Sequence, residues 1–92
     1  MEVMLIKLIT GEDIIAECDS TGEQVHCYDP LSLAMHPEKG LVLMKFTPYA
    51  KTERVAFDRT SVLCILEPNE SLVGSYKELT SKIITPKQGI IY

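Results

Sequence analysis

Apolar residues alternate with polar ones near the start of the chain, on both sides of a short turn sequence. Residues 3–18 hold two runs rich in Ile, Leu and Val, separated by Thr10-Gly11-Glu12-Asp13. Glycine suits the first position of a two-residue hairpin loop because that position needs a positive φ. We therefore predict a β-hairpin with Gly11 and Glu12 as its loop, in which Ile9 faces Ile14.

Both faces of this hairpin are predicted to be apolar. In that register one face carries Leu5, Ile9, Ile14, Ala16 and Cys18, and the other carries Met4, Ile6, Leu8 and Ile15. A sheet that is covered on one side only has one polar face, so both faces of this hairpin must be buried. We expect one face to fill a small barrel and the other to lie under a helix or another subunit.

The same alternation continues to residue 66. A third strand is predicted from about Gln24 to His36, and a fourth begins at Leu41. Because proline cannot donate to a strand ladder, we expect a bulge or bend at Asp29-Pro30, which lets one long strand serve two sides of a barrel. A short apolar run at residues 55–57 and a longer one at 61–66 complete a mostly β domain.

From Asn69 the apolar spacing becomes that of a helix. Asn69 can cap the N-terminus and Pro86 limits the other end. The recurring apolar positions are Leu72, Val73, Tyr76, Leu79 and Ile83. Gly74 weakens the helix, so docking of the apolar side must stabilise it. We predict one domain, with a barrel over residues 1–68 and a C-terminal helix and tail over residues 69–92, packed on the barrel or on a neighbouring subunit.

Charge is distributed unevenly along the 92 residues. The net charge is −4, which argues against a broad basic surface for duplex nucleic acid. Residues 1–38 hold eight acids and one base, whereas residues 39–61 hold five bases and two acids. These segments are either solvated loops or two complementary surfaces that meet between subunits or around a ligand.

The cysteines and histidines carry no catalytic or metal-binding pattern. The three cysteines include no CxxC pair, so we expect small buried side chains in a reducing cytoplasm. His26 and Cys27 are neighbours in a strand and point to opposite faces, which argues against a nucleophile pair. We predict no enzyme activity, no cofactor and no metal. We also expect no signal peptide and no membrane span.

Two groups of residues resemble a known family. The first is Leu8, Gly11, Ile14, Ala16 and Asp19, and the second is Arg59-Thr60-Ser61-Val62. Over about residues 3–68 the chain resembles the Sm-like (LSm) proteins, which include the bacterial Hfq type and short versions carried by bacteriophages. The resemblance implies a five-stranded, strongly bent, SH3-like barrel that closes into rings of roughly five to seven copies. If the chain is phage-encoded, the compartment is the host cytoplasm.

The resemblance implies that Arg59 faces the pore of the ring, where symmetry copies it into a circle of positive charge for RNA phosphates. The further candidates for RNA contact are Thr60, Asp19, Tyr28, His26, Lys45, Lys51 and Arg54. Each has a simpler alternative. Arg59 could pair with Asp58 or Glu53, the aromatic rings could cover a barrel face, the lysines could be solvated, and Asp19 could be a turn former.

Ring formation is also predicted from the residues themselves. Two apolar edge strands in an open barrel invite pairing between copies. The predicted interface residues are Leu41, Leu43, Val62, Cys64 and Leu66. Two functions remain open. One is non-catalytic binding of single-stranded RNA at the pore or rim. The other is a protein-interaction or assembly scaffold without RNA, favoured because Ser20, Thr21 and Gly22 stand where the family has a base-stacking loop.

Overall fold

The computed structural model describes residues 2–50 and 53–80, and it is mostly β in this part of the chain. The six strands are β1 (Glu2–Leu8), β2 (Asp13–Asp19), β3 (Gln24–His36), β4 (Gly40–Lys45), β5 (Arg54–Asp58) and β6 (Val62–Leu66). A 3₁₀ turn at Arg59–Ser61 precedes β6, and helix α1 spans Glu70–Thr80. The predicted helix positions beyond residue 80, and the apolar tail, lie outside the described residues.

All strand pairs are antiparallel, in the order β4-β3-β2-β1-β6, with β5 also paired to β3. β4 lies beside residues 31–36 of β3 and β5 beside residues 24–28, on the same edge. The two strands therefore act as one strand interrupted opposite the bend of β3, which explains why six strands form where five were predicted. β6 is not paired with β4 or β5, so the described part is an open sheet and not a closed barrel.

The register of the first hairpin differs from the prediction by three residues. Ile6 pairs with Ile14 and Lys7 with Asp13, and a backbone hydrogen bond between Leu8 and Glu12 leaves a loop of three residues, 9–11. The Gly11 N–H donates to the Leu8 carbonyl and the Leu8 N–H to the Glu12 carbonyl, both at 2.9 Å. Gly11 has its positive φ, 100°, at the third loop position, as in hairpins with a type I turn and a bulge. A shift by an odd number of residues moves every β1 side chain to the other face relative to the β2 side chains. The predicted grouping of β1 and β2 residues on shared faces was therefore wrong.

Both faces of the hairpin are buried, as predicted, and each forms its own core. The buried residues of the inner core all lie on strands β1, β2 and β3, and they are Ile6, Leu8, Ile14, Ala16, Cys18, Val25 and Cys27. Phe46, Phe57, Val62 and Ile65 pack against it from opposite ends of the sheet, so the sheet curls around this core. The outer core contains Ile15, Leu31, Leu43 and Tyr76, with Leu72 and Leu79 of the helix packed against it.

The predicted bend in β3 is a β-bulge. Ile15 pairs with Leu31 and Glu17 with Tyr28, so two residues, Asp29 and Pro30, lie opposite Ala16 alone. Asp29 has a positive φ of 52°. The extra residue reverses the alternation, so that β3 contributes Cys27 to the inner core and Leu31 to the outer core.

Helix α1 is fixed at its start and at its middle. The Asn69 side-chain oxygen accepts the Leu72 N–H at 2.8 Å, which confirms the predicted N-cap. Tyr76 is 1% exposed, and its hydroxyl accepts the Glu17 N–H at 3.2 Å. The same hydroxyl donates toward the carbonyls of Tyr28 (2.9 Å) and Asp29 (3.1 Å). Burial raises the pKa of Tyr76. The hydroxyl thus satisfies backbone groups beside the bulge and anchors the helix there.

Candidate functional site

Three of the predicted RNA-contact residues lie together in one open cleft. Pairing of β3 with β5 brings the β2–β3 loop next to the 3₁₀ turn, and the space between them has a volume of ≈ 670 Å³. We call it the Arg59 cleft. Its lining residues are Thr21, Gly22, Glu23, Gln24, His26, Asp58, Arg59 and Thr60.

Arg59 is held by backbone groups of the loop. Its Nε donates to the Gly22 carbonyl at 2.7 Å, and its backbone N–H donates to the Glu23 carbonyl at 3.4 Å. Within residues 2–50 and 53–80 Arg59 forms no ion pair with Asp58 or Glu53, which were its alternative partners. The Nε contact fixes the direction of the guanidinium and leaves its terminal nitrogens as the donors available to a ligand.

Acidic side chains offset the charge of Arg59 in this cleft. Glu23 and Asp58 line it together with Arg59, and the Asp58 carboxylate accepts a hydrogen bond from the Gln24 amide at 3.2 Å. One cationic and two anionic side chains give a single copy no net positive charge here. A phosphate group would therefore depend on the directional donors of Arg59 more than on a positive field.

His26 and Tyr28 continue from the cleft along the outer face of β3. Alternation puts both on the face opposite Cys27, which was predicted for His26. Tyr28 pairs with Arg54 in the ladder, and the Arg54 guanidinium carbon is 6.0 Å from the centre of the Tyr28 ring, a cation–π distance. Arg54 and Tyr28 thus form a unit next to the cleft, with His26 between.

Asp19 lies outside the Arg59 cleft and shapes the loop. It lines a separate shallow pocket with Cys18 and Ser20. Its Oδ1 accepts the backbone N–H of Thr21 at 3.2 Å and the Thr21 hydroxyl at 2.9 Å. These two hydrogen bonds hold the pKa of Asp19 below its usual value. The turn-forming interpretation of Asp19 is confirmed.

Lys45, a further basic candidate, does not line the cleft. Lys45 is exposed at the end of β4, where it pairs with Leu31. Lys51 lies outside the described residues. The sequence also missed part of the site, because Gly22, Glu23, Gln24 and Asp58 become its walls only through the pairing of β3 with β5. No local pattern indicated that pairing.

The predicted interface residues fall into two groups. Leu41 on β4 and Leu66 on β6 are 49% and 50% exposed, at opposite ends of the sheet. Val62 packs on the inner core, Cys64 is half-buried, and Leu43 is buried in the outer core under the helix. Met44 and Leu63 are exposed apolar residues on the same two strands that the prediction did not include.

No protein-family model matches the chain, and no curated protein matches it. Among the residues that the structure describes, no group of three His, Cys, Asp or Glu side chains could hold a metal ion. In the same part of the chain, no helix has the length and apolar character needed to cross a bilayer.

Proposed function

We propose that this chain is an Sm-like protein whose copies join edge to edge into a ring of roughly five to seven subunits. We further propose that the ring binds single-stranded RNA without catalysis. The observation that carries the proposal is the pair of free edges, since β4 and β6 end the described sheet and both expose leucines. An unpaired edge offers N–H and C=O groups to another strand, so β6 of one copy can extend the sheet of the next through β4.

Two further features support the resemblance. β3 is strongly bent at its bulge and contributes to two cores, as a strand of a bent barrel does. The turn at Arg59–Ser61 stands directly before the last strand, where the family has a basic turn residue. Head-to-tail pairing through one fixed pair of edges is heterologous, and it closes into a ring when its rotation divides a full turn.

The Arg59 cleft and the outer face of β3 provide the contacts for RNA. The terminal nitrogens of Arg59 can donate to a phosphate, and Tyr28 offers a ring for stacking that tolerates any base. His26 lies between them. Residues on one face of a strand repeat about every 7 Å, so these side chains form a short track. A ring repeats this track once in every subunit.

A second function has a specific observation in its favour. Glu23 and Asp58 line the same cleft as Arg59, and they repel phosphate groups. A partner protein that presents both a basic and an acidic side chain would complement this cleft better than RNA does. The alternative is therefore an assembly scaffold that keeps the ring and binds protein.

Assembly is tested by the mass of the purified protein in solution. We expect a ring at micromolar concentration by light scattering. Leu66→Asp on β6 and Leu41→Asp on β4 should each yield smaller species, because each places a charge on a pairing edge. Tyr49→Asp is the matched control, since Tyr49 is a 98% exposed loop residue and its substitution should leave the ring intact. A folded wild-type monomer would overturn the ring proposal.

RNA binding is tested on the assembled protein with short oligo-U and oligo-A at low and high salt. Binding should weaken with salt and with Arg59→Ala. Lys77→Ala is the control, because it removes one exposed positive charge from the helix, away from the cleft. Absence of binding at low salt by an intact ring would remove the RNA proposal and leave the scaffold.

A further inference from the structure

Two cysteines of the inner core face each other across the neighbouring strands β2 and β3. Cys18 on β2 and Cys27 on β3 are direct partners in the ladder, and their Sγ atoms are 3.8 Å apart. The third cysteine, Cys64, lies on β6. Cβ atoms of directly opposed residues are about 4.5–5.5 Å apart, and a disulfide spans about 3.5–4.5 Å between them. Side-chain rotation and a small approach of the strands would therefore allow a bond.

The two thiols differ in their access to solvent. Cys18 is 8% exposed and lines a surface pocket together with Asp19 and Ser20. Cys27 is 0% exposed and lies inside the inner core. A small oxidant can therefore reach Cys18 from this pocket, whereas Cys27 has no exposed surface.

Hydrogen bonding favours Cys18 as the reactive thiol. The Cys18 S–H has the Ala16 carbonyl as acceptor at 3.4 Å, which leaves its sulfur to accept the S–H of Cys27. This hydrogen bond lowers the pKa of Cys18 below its usual value, and the same bond together with burial raises the pKa of Cys27. The thiolate is the nucleophile in thiol chemistry, so the accessible partner is also the more readily ionised one.

We propose that Cys18 is a site of oxidation by hydrogen peroxide and that Cys27 then closes a disulfide across β2 and β3. The Cys18 thiolate attacks one peroxide oxygen, the O–O bond breaks, and hydroxide leaves and takes up a proton, so that Cys18 becomes a sulfenic acid. The Cys27 sulfur attacks the Cys18 sulfur, the S–O bond breaks, and water leaves with the Cys27 proton. Two thiols are oxidised to one disulfide as one peroxide is reduced to two waters.

The disulfide between Cys18 and Cys27 would stiffen one wall of the Arg59 cleft. The disulfide would tie the two ends of the β2–β3 loop, and this loop carries the Gly22 carbonyl that holds Arg59. The oxidised form should therefore resist thermal unfolding better than the reduced form. This inference does not depend on what the cleft binds.

The test treats reduced, folded full-length protein with hydrogen peroxide at a slight excess and measures intact mass. We expect the loss of two hydrogen atoms within one chain, reversed by dithiothreitol. Digestion after glutamate separates the two cysteines, because Glu23 lies between them. The peptides containing Cys18 and Cys27 should remain linked until reduction. Addition of oxygen without a link, or a link formed only in denaturant, would overturn the proposal.

Matched variants distinguish the roles of the three thiols. Cys64→Ser should still lose two hydrogen atoms. Cys27→Ser should stop at the sulfenic acid of Cys18, which dimedone traps. If Cys27→Ser does not fold, alkylation of the folded wild-type protein shows instead which of the two thiols reacts first. Cys18 should react with iodoacetamide at least tenfold faster than Cys27, and an equal rate or a faster Cys27 would contradict the assigned order.

Discussion

The inner and outer cores lie on the two faces of the same hairpin, yet they are closed in different ways. The inner core is enclosed by side chains from the strands, which hydrogen-bonded ladders hold together. In the described part of the chain, the outer core is closed by helix α1, which lies over β2, β3 and β4. Its largest fully buried side chain, Tyr76, belongs to that helix. One core is therefore part of the sheet, and the other exists only while the helix is docked.

This difference predicts two levels of stability. Opening the inner core requires separation of paired strands, so it should coincide with global unfolding. Opening the outer core requires only release of α1, which Gly74 weakens and which its N-cap and Tyr76 hold in place. The Arg59 cleft is built from the β2–β3 loop and the 3₁₀ turn, so it should survive release of the helix.

The largest expected effects come from Ile14→Ala and Ile15→Ala, a matched pair of fully buried neighbours on opposite faces. Each should lower the free energy of unfolding by about 2 to 5 kcal/mol. Amide hydrogen exchange should distinguish the two variants. Ile15→Ala should speed exchange selectively in α1, whereas Ile14→Ala should speed exchange in all strands and in the helix. Selective loosening of α1 by Ile14→Ala would refute the distinction between the cores.

Removal of one hydroxyl should release the helix from the bulge. Tyr76→Phe leaves the Glu17 N–H and a bulge carbonyl without their partner, which should cost about 1 to 3 kcal/mol in denaturant unfolding. Tyr49→Phe is the control and should have no effect, since Tyr49 is almost fully exposed. Equal stability of the Tyr76→Phe and wild-type proteins would mean that apolar packing alone docks the helix.

A smaller effect is expected from the helix cap. Asn69→Ala removes the acceptor for the Leu72 N–H and should destabilise α1 by about 1 kcal/mol. Asn69→Ser should restore most of this loss because serine also caps helices. The measurement is amide exchange in α1 against exchange in β1 and β2. Slower or unchanged exchange in α1 of Asn69→Ala would contradict the role of the cap.

The smallest effect concerns an exposed ion pair at the hairpin end. Lys7 Nζ is 2.7 Å from Asp13 Oδ1, and this hydrogen bond together with the Asp13 charge raises the pKa of Lys7 above its usual value of 10.5. A lysine whose pKa is raised by folding stabilises the folded state at pH values below its pKa in the unfolded chain. This stabilisation is lost as the pH rises through the pKa of the folded state. The stability difference between wild type and Lys7→Gln should therefore shrink in alkaline titration, and a growing difference would contradict this sign.

Much of the local structure could be predicted from short stretches of sequence. Alternation of apolar residues, a proline within a strand and an asparagine before a helical stripe each act on their neighbours, so β3 with its bend and α1 with its cap were predicted. The shared face of His26 and Tyr28 followed from the same alternation. The positive φ of Gly11 was predicted, but the length of the loop was not, because Gly11 can serve in a two-residue or a three-residue loop.

Contacts between distant segments could not be predicted in the same way. The hairpin register, the split between β4 and β5, the burial of Leu43 under α1 and the acidic walls around Arg59 all depend on which segments meet. Residue properties set the types of the elements, because backbone and side-chain preferences act over a few positions. Long-range packing set their partners, because several pairings bury similar apolar area and only the complete fold selects among them.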